Sequence, residues 1–169
     1  MIRNAVISNC DLYRYALSRC WDPERGYVLF VMLNPSTADA EIDDPTIRRC
    51  IGFAKAWGYG GLMVGNLYAF RATDPTKLLD VIDPFGNHNI EVLSWMAAEA
   101  ACVVLAWGGW PASIEMGCSV AQRLEREVPG RLGALGWTLT GGPRHPLYLR
   151  KDLRPEPVRT AEMLERVRL

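Results

Sequence analysis

Two asparagines and one histidine occupy positions in this chain from which they could do chemistry. Asn34 begins Asn34-Pro35-Ser36, directly after the apolar run Tyr27–Leu33. Asn66 ends Leu62-Met63-Val64-Gly65-Asn66, and His145 lies in Gly141-Gly142-Pro143-Arg144-His145-Pro146. An amide offers a donor and an acceptor side by side, which suits the edge of a planar heterocycle, and an imidazole can donate to an oxygen gathering charge. Trp107-Gly108, closing the run Cys102–Trp107, adds a flat apolar wall. Together these groups, Asn34 and His145 included, predict a pocket for a nucleobase. Pro35, Ser36, Asn66, Trp107, Gly108 and Arg144 are the expected contacts. Each also has an ordinary structural reading: Asn-Pro-Ser is common turn chemistry, Asn66 can cap a loop, and His145 can be a surface histidine.

Charged residues leave a further choice open. Asp39, Glu41, Asp43 and Asp44 precede a helix start, where carboxylates suit the helix dipole. The same run could instead hold magnesium for a phosphohydrolase, through Asp39 with Asp43 or Asp44. Arg71, Arg144, Arg150 and Lys151 are either phosphate contacts or solvated cations.

The pocket exists only if the chain brings these strand ends together. Asp44-Pro45 is a strong helix start, and Ile47, Cys50, Ile51, Ala54 and Trp57 recur at helical spacing, so a helix is expected over Pro45–Trp57. Further helices are expected at about Asn87–Ala100, Ala112–Glu127 and Pro157–Leu169, with a helical turn at Pro75–Leu79. Strands are expected at Tyr27–Leu33, Leu62–Leu67, Cys102–Trp107 and Trp137–Thr140. Residues 1–25 read as an N-terminal hairpin or edge segment, with Asp11–Leu17 as an edge strand and Trp21–Gly26 as a turn. Residues 150–169 read as a charged helical tail. Alternating strands and helices predict one α/β domain over 1–169: a three-layer α/β/α fold with a mostly parallel four-stranded sheet. In such folds, ligands sit outside the carboxyl ends of the strands. Trp57, Trp95 and Trp137 are expected in the core.

Composition narrows the field. Hydrophobic residues form 49% of the chain and charged residues 22%, the balance of a globular domain. Nineteen basic residues against nineteen acidic ones weigh against tight nucleic-acid binding, with a local basic patch left open. Five scattered cysteines with no C-x-x-C pair, and only two histidines, predict buried free thiols and no metal or cofactor. No apolar run is long enough for a membrane span, and no signal-peptide core is visible near Met1, so a cytoplasmic protein is expected.

Five motifs in order carry a resemblance. Asn34-Pro35-Ser36-Thr37-Ala38-Asp39, Asp44-Pro45-Thr46, Asn66-Leu67-Tyr68-Ala69-Phe70-Arg71, Ala106-Trp107-Gly108 and Gly142-Pro143-Arg144-His145-Pro146-Leu147-Tyr148-Leu149 resemble the bacterial family catalogued as domain of unknown function 1643. The same motifs are more distantly similar to the uracil-DNA glycosylase superfamily. That likeness implies a four-stranded parallel sheet flanked by helices and hydrolysis of an N-glycosidic bond. It would make Asn34-Pro35 the water-positioning motif, Asn66 the base reader and His145 the group that stabilises the leaving base. Met32 and Ser36 depart from the pattern, where a glycine and an aromatic gate are usual. A non-catalytic nucleotide or modified-base binding domain is the alternative.

Overall fold

The computed structural model describes residues 1–167, and the last two positions of the expected tail helix lie outside them. Among the described residues, seven strands form one mixed sheet in the order β1-β2-β4-β3-β5-β6-β7. They are β1 (Ile2–Ile7), β2 (Arg14–Cys20), β3 (Tyr27–Met32), β4 (Gly61–Asn66), β5 (Cys102–Leu105), β6 (Leu132–Ala134) and β7 (Glu156–Pro157). The helices are α1 (Pro45–Ala56), α2 (Asn89–Glu99), α3 (Ile114–Glu127) and α4 (Thr160–Val167). Among the described residues, no helix is long and apolar enough to cross a membrane.

The sheet is therefore larger than the four strands expected. Strands β4, β3, β5 and β6 do run parallel to one another. The N-terminal hairpin extends that group, because β2 pairs antiparallel with β4 and β1 pairs antiparallel with β2. On the other side, β7 pairs antiparallel with β6. β2 carries Arg14 and Arg19, both of which the structure buries.

Trp137–Thr140 is a correction. It is not a strand but a tight loop, in which Thr138 N donates to Gly142 O at 2.8 Å and Leu139 is fully exposed. The fourth parallel strand is instead Leu132-Gly133-Ala134, whose small residues give no β-branched or aromatic signal. Its backbone is covered closely: a Cβ at Gly133 would come within 2.9 Å of Pro155.

Alternation along β3 builds the two cores. Leu29 and Val31 face Leu93 and Met96 of α2 and Ala121 and Leu124 of α3. Val28, Phe30 and Met32 face Ile47, Cys50, Phe53 and Ala54 of α1. Strands buried on both faces read as unbroken apolar runs, and β3 does so. Trp57 and Trp137 pack partly buried against these cores. Trp95 corrects the expectation of a core residue: it is 58% exposed. Of the cysteines, Cys20, Cys50 and Cys118 are buried, whereas Cys10 is exposed.

Chain direction reverses at β3. The first crossover leads through α1 to β4 on one side, and the next returns through α2 to β5 on the other. The carboxyl ends of β3 and β5 thus flank the point where the strand order switches, which is where open α/β sheets leave a crevice.

Candidate functional site

A cavity of about 380 Å³ opens at that crevice. Its walls include Leu33, Asn34 and Ser36 after β3, Trp107, Gly109 and Trp110 after β5, Asp44, Thr46 and Ile47 at the start of α1, and His145. Arg14 from β2 and Ala72-Thr73 complete it. The volume lies in the range of small-ligand sites. A second groove of about 290 Å³, between β1–β2 and α2, is lined mostly by apolar side chains such as Ala16, Met63 and Met96. Glu99 is its one carboxylate, and the groove lies away from the carboxyl ends of the parallel strands, so the first cavity is the candidate site.

Asn34 is held by its own loop. Its Nδ2 donates to Pro35 O at 3.1 Å and to Ala72 O at 2.7 Å, which uses both amide hydrogens. Only a nitrogen can serve two carbonyls, so the amide orientation is fixed. Its Oδ1 accepts no hydrogen bond among the described residues and remains available to a water or a ligand N–H. The Pro35 carbonyl also accepts from Ala72 N at 2.9 Å, so buried Pro35 acts as a brace.

His145 depends on two loops that interlock. Gly108 N donates to Pro143 O at 2.8 Å, and the backbones approach so closely that a Cβ at Gly142 would lie 2.1 Å from Gly108 O. Gly142→Ala is therefore expected to cost about 1–3 kcal/mol and to displace the His145 loop. Chemical denaturation measures the first effect, and ligand affinity the second. Leu147 N approaches His145 Nδ1 at 3.4 Å, which makes Nδ1 the acceptor and leaves the proton on Nε2. The ring meets solvent at the cavity mouth, yet the surrounding walls lower its pKa, while Asp44 acts in the opposite direction. His145 is thus a neutral donor at pH 7.

Several expected contacts lie elsewhere. Trp107 lines the cavity but is only 3% exposed, and its indole packs where a Cβ at Gly117 would stand 2.7 Å away. Trp110 supplies the second aromatic wall and was not singled out from sequence. Gly108, at φ +83°, shapes the turn rather than the wall. Exposed Arg144 anchors its loop through Arg144 N to Gly136 O at 2.9 Å and does not line the cavity. Asn66 is 1% exposed at the end of β4, outside the lining. Neither Nδ2 nor Oδ1 of its side chain has a hydrogen-bond partner among the described residues.

The acidic run divides into separate tasks. Asp39 Oδ1 accepts from Ile42 N and Glu41 N, which holds its carboxyl below the usual range. Asp43 pairs with Arg19 at 2.8 Å and with Arg3 at 3.3 Å. Asp44 Oδ1 accepts from Ile47 N at 2.8 Å as the α1 cap, and Asp44 alone of the run reaches the cavity. Among the described residues, no three His, Cys, Asp or Glu side chains converge on one point.

Sequence reasoning missed Arg14. It is 2% exposed, lines the cavity, and donates from Nη1 to Ala38 O at 2.6 Å. No carboxylate pairs with it among the described residues. Burial pushes its pKa down to about 10, against the pull of Asp44, and it stays a cation at pH 7.

The fold and cavity thus define an α/β domain with a polar, aromatic-walled site at its strand switch point. The chain belongs to the family described as protein of unknown function (DUF1643), whose family model matches residues 14–147. That match spans both Arg14 and His145. No curated protein and no solved structure matches the chain.

Proposed function

We propose that this cavity binds a nucleobase and that the protein hydrolyses the N-glycosidic bond of its ligand. The observation that carries the reading is the convergence of Asn34 and His145, 111 positions apart in the chain, on one crevice whose lining includes Trp107 and Trp110. Water adds to the sugar carbon, the carbon–nitrogen bond breaks, and the base leaves with the bonding electrons. Asn34 Oδ1 accepts a hydrogen bond from the water and orients it. An amide is a poor base, and the Asp44 carboxylate in the same cavity can take the proton that Asn34 cannot. Neutral His145 donates from Nε2 to the base oxygen where charge gathers. Trp107 and Trp110 give a planar ring an apolar seat.

A thermal-shift screen of bases, nucleosides and short uracil-containing DNA identifies the ligand, because binding raises apparent stability by mass action. Release of free base from that ligand is then followed by chromatography. Asn34→Ala and His145→Ala are each expected to lower the rate about 100-fold or more with the fold retained. Full activity in either variant would remove that residue from the mechanism. Saturable binding with no base released would make the protein a binding domain instead.

A further inference from the structure

We propose that a phosphate-binding subsite adjoins the base cavity, formed by Arg71 with Ser36, Thr37 and Thr73 and backed by Arg14, so that the ligand is a nucleotide. This rests on the nucleobase reading above and names the class of ligand. A second pocket is lined by Asp11, Leu12, Ser36, Thr37, Arg71, Ala72 and Thr73. It shares Ser36, Ala72 and Thr73 with the base cavity, so the two are neighbouring parts of one depression.

The charges in this depression are distributed unevenly. Asp44 lies in the base cavity, with His145 and the tryptophans, and is absent from the walls of the second pocket. Arg71 lies in the second pocket, donating from Nη1 to the Asp11 backbone carbonyl at 3.2 Å. Neither Arg71 nor Arg14 has an ion pair among the described residues. Nearby Arg19, by contrast, is paired with Asp43 at 2.8 Å. The two unpaired guanidinium groups are close enough that Arg71 disfavours the charge on Arg14. Asp44 and Asp39 offset part of the charge on Arg14, and Asp39 also feels Arg71, but among the described residues neither carboxylate forms an ion pair with either guanidinium. Arg14 is 98% buried with its Nε unpartnered, so a bound anion would complete the neutralisation.

The remaining groups suit a phosphate. Three hydroxyls, from Ser36, Thr37 and Thr73, can donate to its oxygens, and arginine binds phosphate with a planar fork. The Asp11 carboxylate is the one opposing charge in the walls of the second pocket, and Arg71 contacts Asp11 through its backbone carbonyl, not through that carboxylate. A base seated near Trp107 and Trp110 would have its sugar at the shared Ser36–Thr73 boundary and its phosphate on Arg71. A 5′- or 3′-mononucleotide and the phosphodiester of a nucleic acid present the same group, and the experiment separates them.

Calorimetry on the full chain compares a nucleoside, its 5′- and 3′-monophosphates and a short single-stranded oligonucleotide of the same base. A monophosphate is expected to bind about tenfold tighter than the nucleoside, with an affinity that falls as salt rises. Arg71→Gln, at a half-buried position with no ion pair, should reduce that ratio to about one and leave nucleoside affinity unchanged. Arg14→Lys keeps the charge and loses the fork, and should lower the ratio in part. An oligonucleotide tighter than either mononucleotide supports the subsite and names nucleic acid as the source of the phosphate. Equal affinities of nucleoside and nucleotide, or a ratio untouched by Arg71→Gln, would overturn the subsite and leave the base pocket standing. No binding of any of these ligands would remove both.

Discussion

Asp43→Ala is expected to lower global stability by about 3–5 kcal/mol, the usual cost of leaving a buried charge without its partner. Arg19 is fully buried in β2, and its Nε lies 2.8 Å from Asp43 Oδ1. Its other nitrogens serve backbone carbonyls: Nη2 donates to Asp39 O at 2.6 Å and Nη1 to Ser18 O at 2.8 Å. Removing the carboxylate leaves the cation with dipoles only. The Arg3 contact to Asp43 lies nearer the surface and should contribute little, so Arg3→Ala is the control, with a loss below about 1 kcal/mol. Urea denaturation of the three proteins gives the values, and a loss under 1 kcal/mol in Asp43→Ala would show that carbonyls alone satisfy Arg19. The consequence for the site is direct. Arg19 ties the Asp39–Asp43 loop to the sheet, and that loop connects Asn34 to the first turn of α1, where Asp44 and Thr46 meet the cavity.

Arg19 also marks where sequence reading stops. The parallel core announces itself, because β3 and β5 are apolar on both faces and α1 begins with an Asp-Pro signal that the structure honours at Asp44. The site loops are legible for the same reason: Asn34, Trp107 and His145 follow apolar runs or glycine turns that must end at one edge of the sheet. What the sequence conceals is compensation over distance. Nothing in their local sequence marks Arg14 and Arg19 as buried, because their partners Ala38 O, Asp39 O and Asp43 lie 20 or more positions away. Local propensity misleads at the C-terminal side. Trp137-Thr138-Leu139-Thr140 has the side chains of a strand but turns to bring Gly142 under Gly108. Leu132-Gly133-Ala134 lacks those side chains yet completes the parallel ladder, where tertiary cover decides.

Asn66→Leu is expected to raise stability by about 1–2 kcal/mol, a gain of roughly 2–8 °C in Tm for a chain of this size. Both polar atoms of this side chain are buried without a partner among the described residues, whereas leucine, with the same number of side-chain heavy atoms, carries no polar atoms to satisfy. Its backbone is not in question: Asn66 O accepts from Asn89 Nδ2 at 2.9 Å, and the substitution leaves that bond in place. An orphaned amide in a core is a standing cost that needs an explanation, and a ligand supplies one. Asn66 pairs across the ladder with Met32, which lines the cavity, so the amide lies one strand from the seat proposed for the base. If the amide exists to read that base, the gain in stability must come with a loss of about tenfold or more in affinity for the ligand. Scanning calorimetry and ligand titration on one preparation test both halves together. A more stable protein that binds its ligand unchanged would deny Asn66 the reading role and leave Asn34, His145 and Arg14 as the polar determinants. A less stable protein would mean that the amide is satisfied in solution, by water or by a shift of its neighbours, and would remove the cost on which the argument rests.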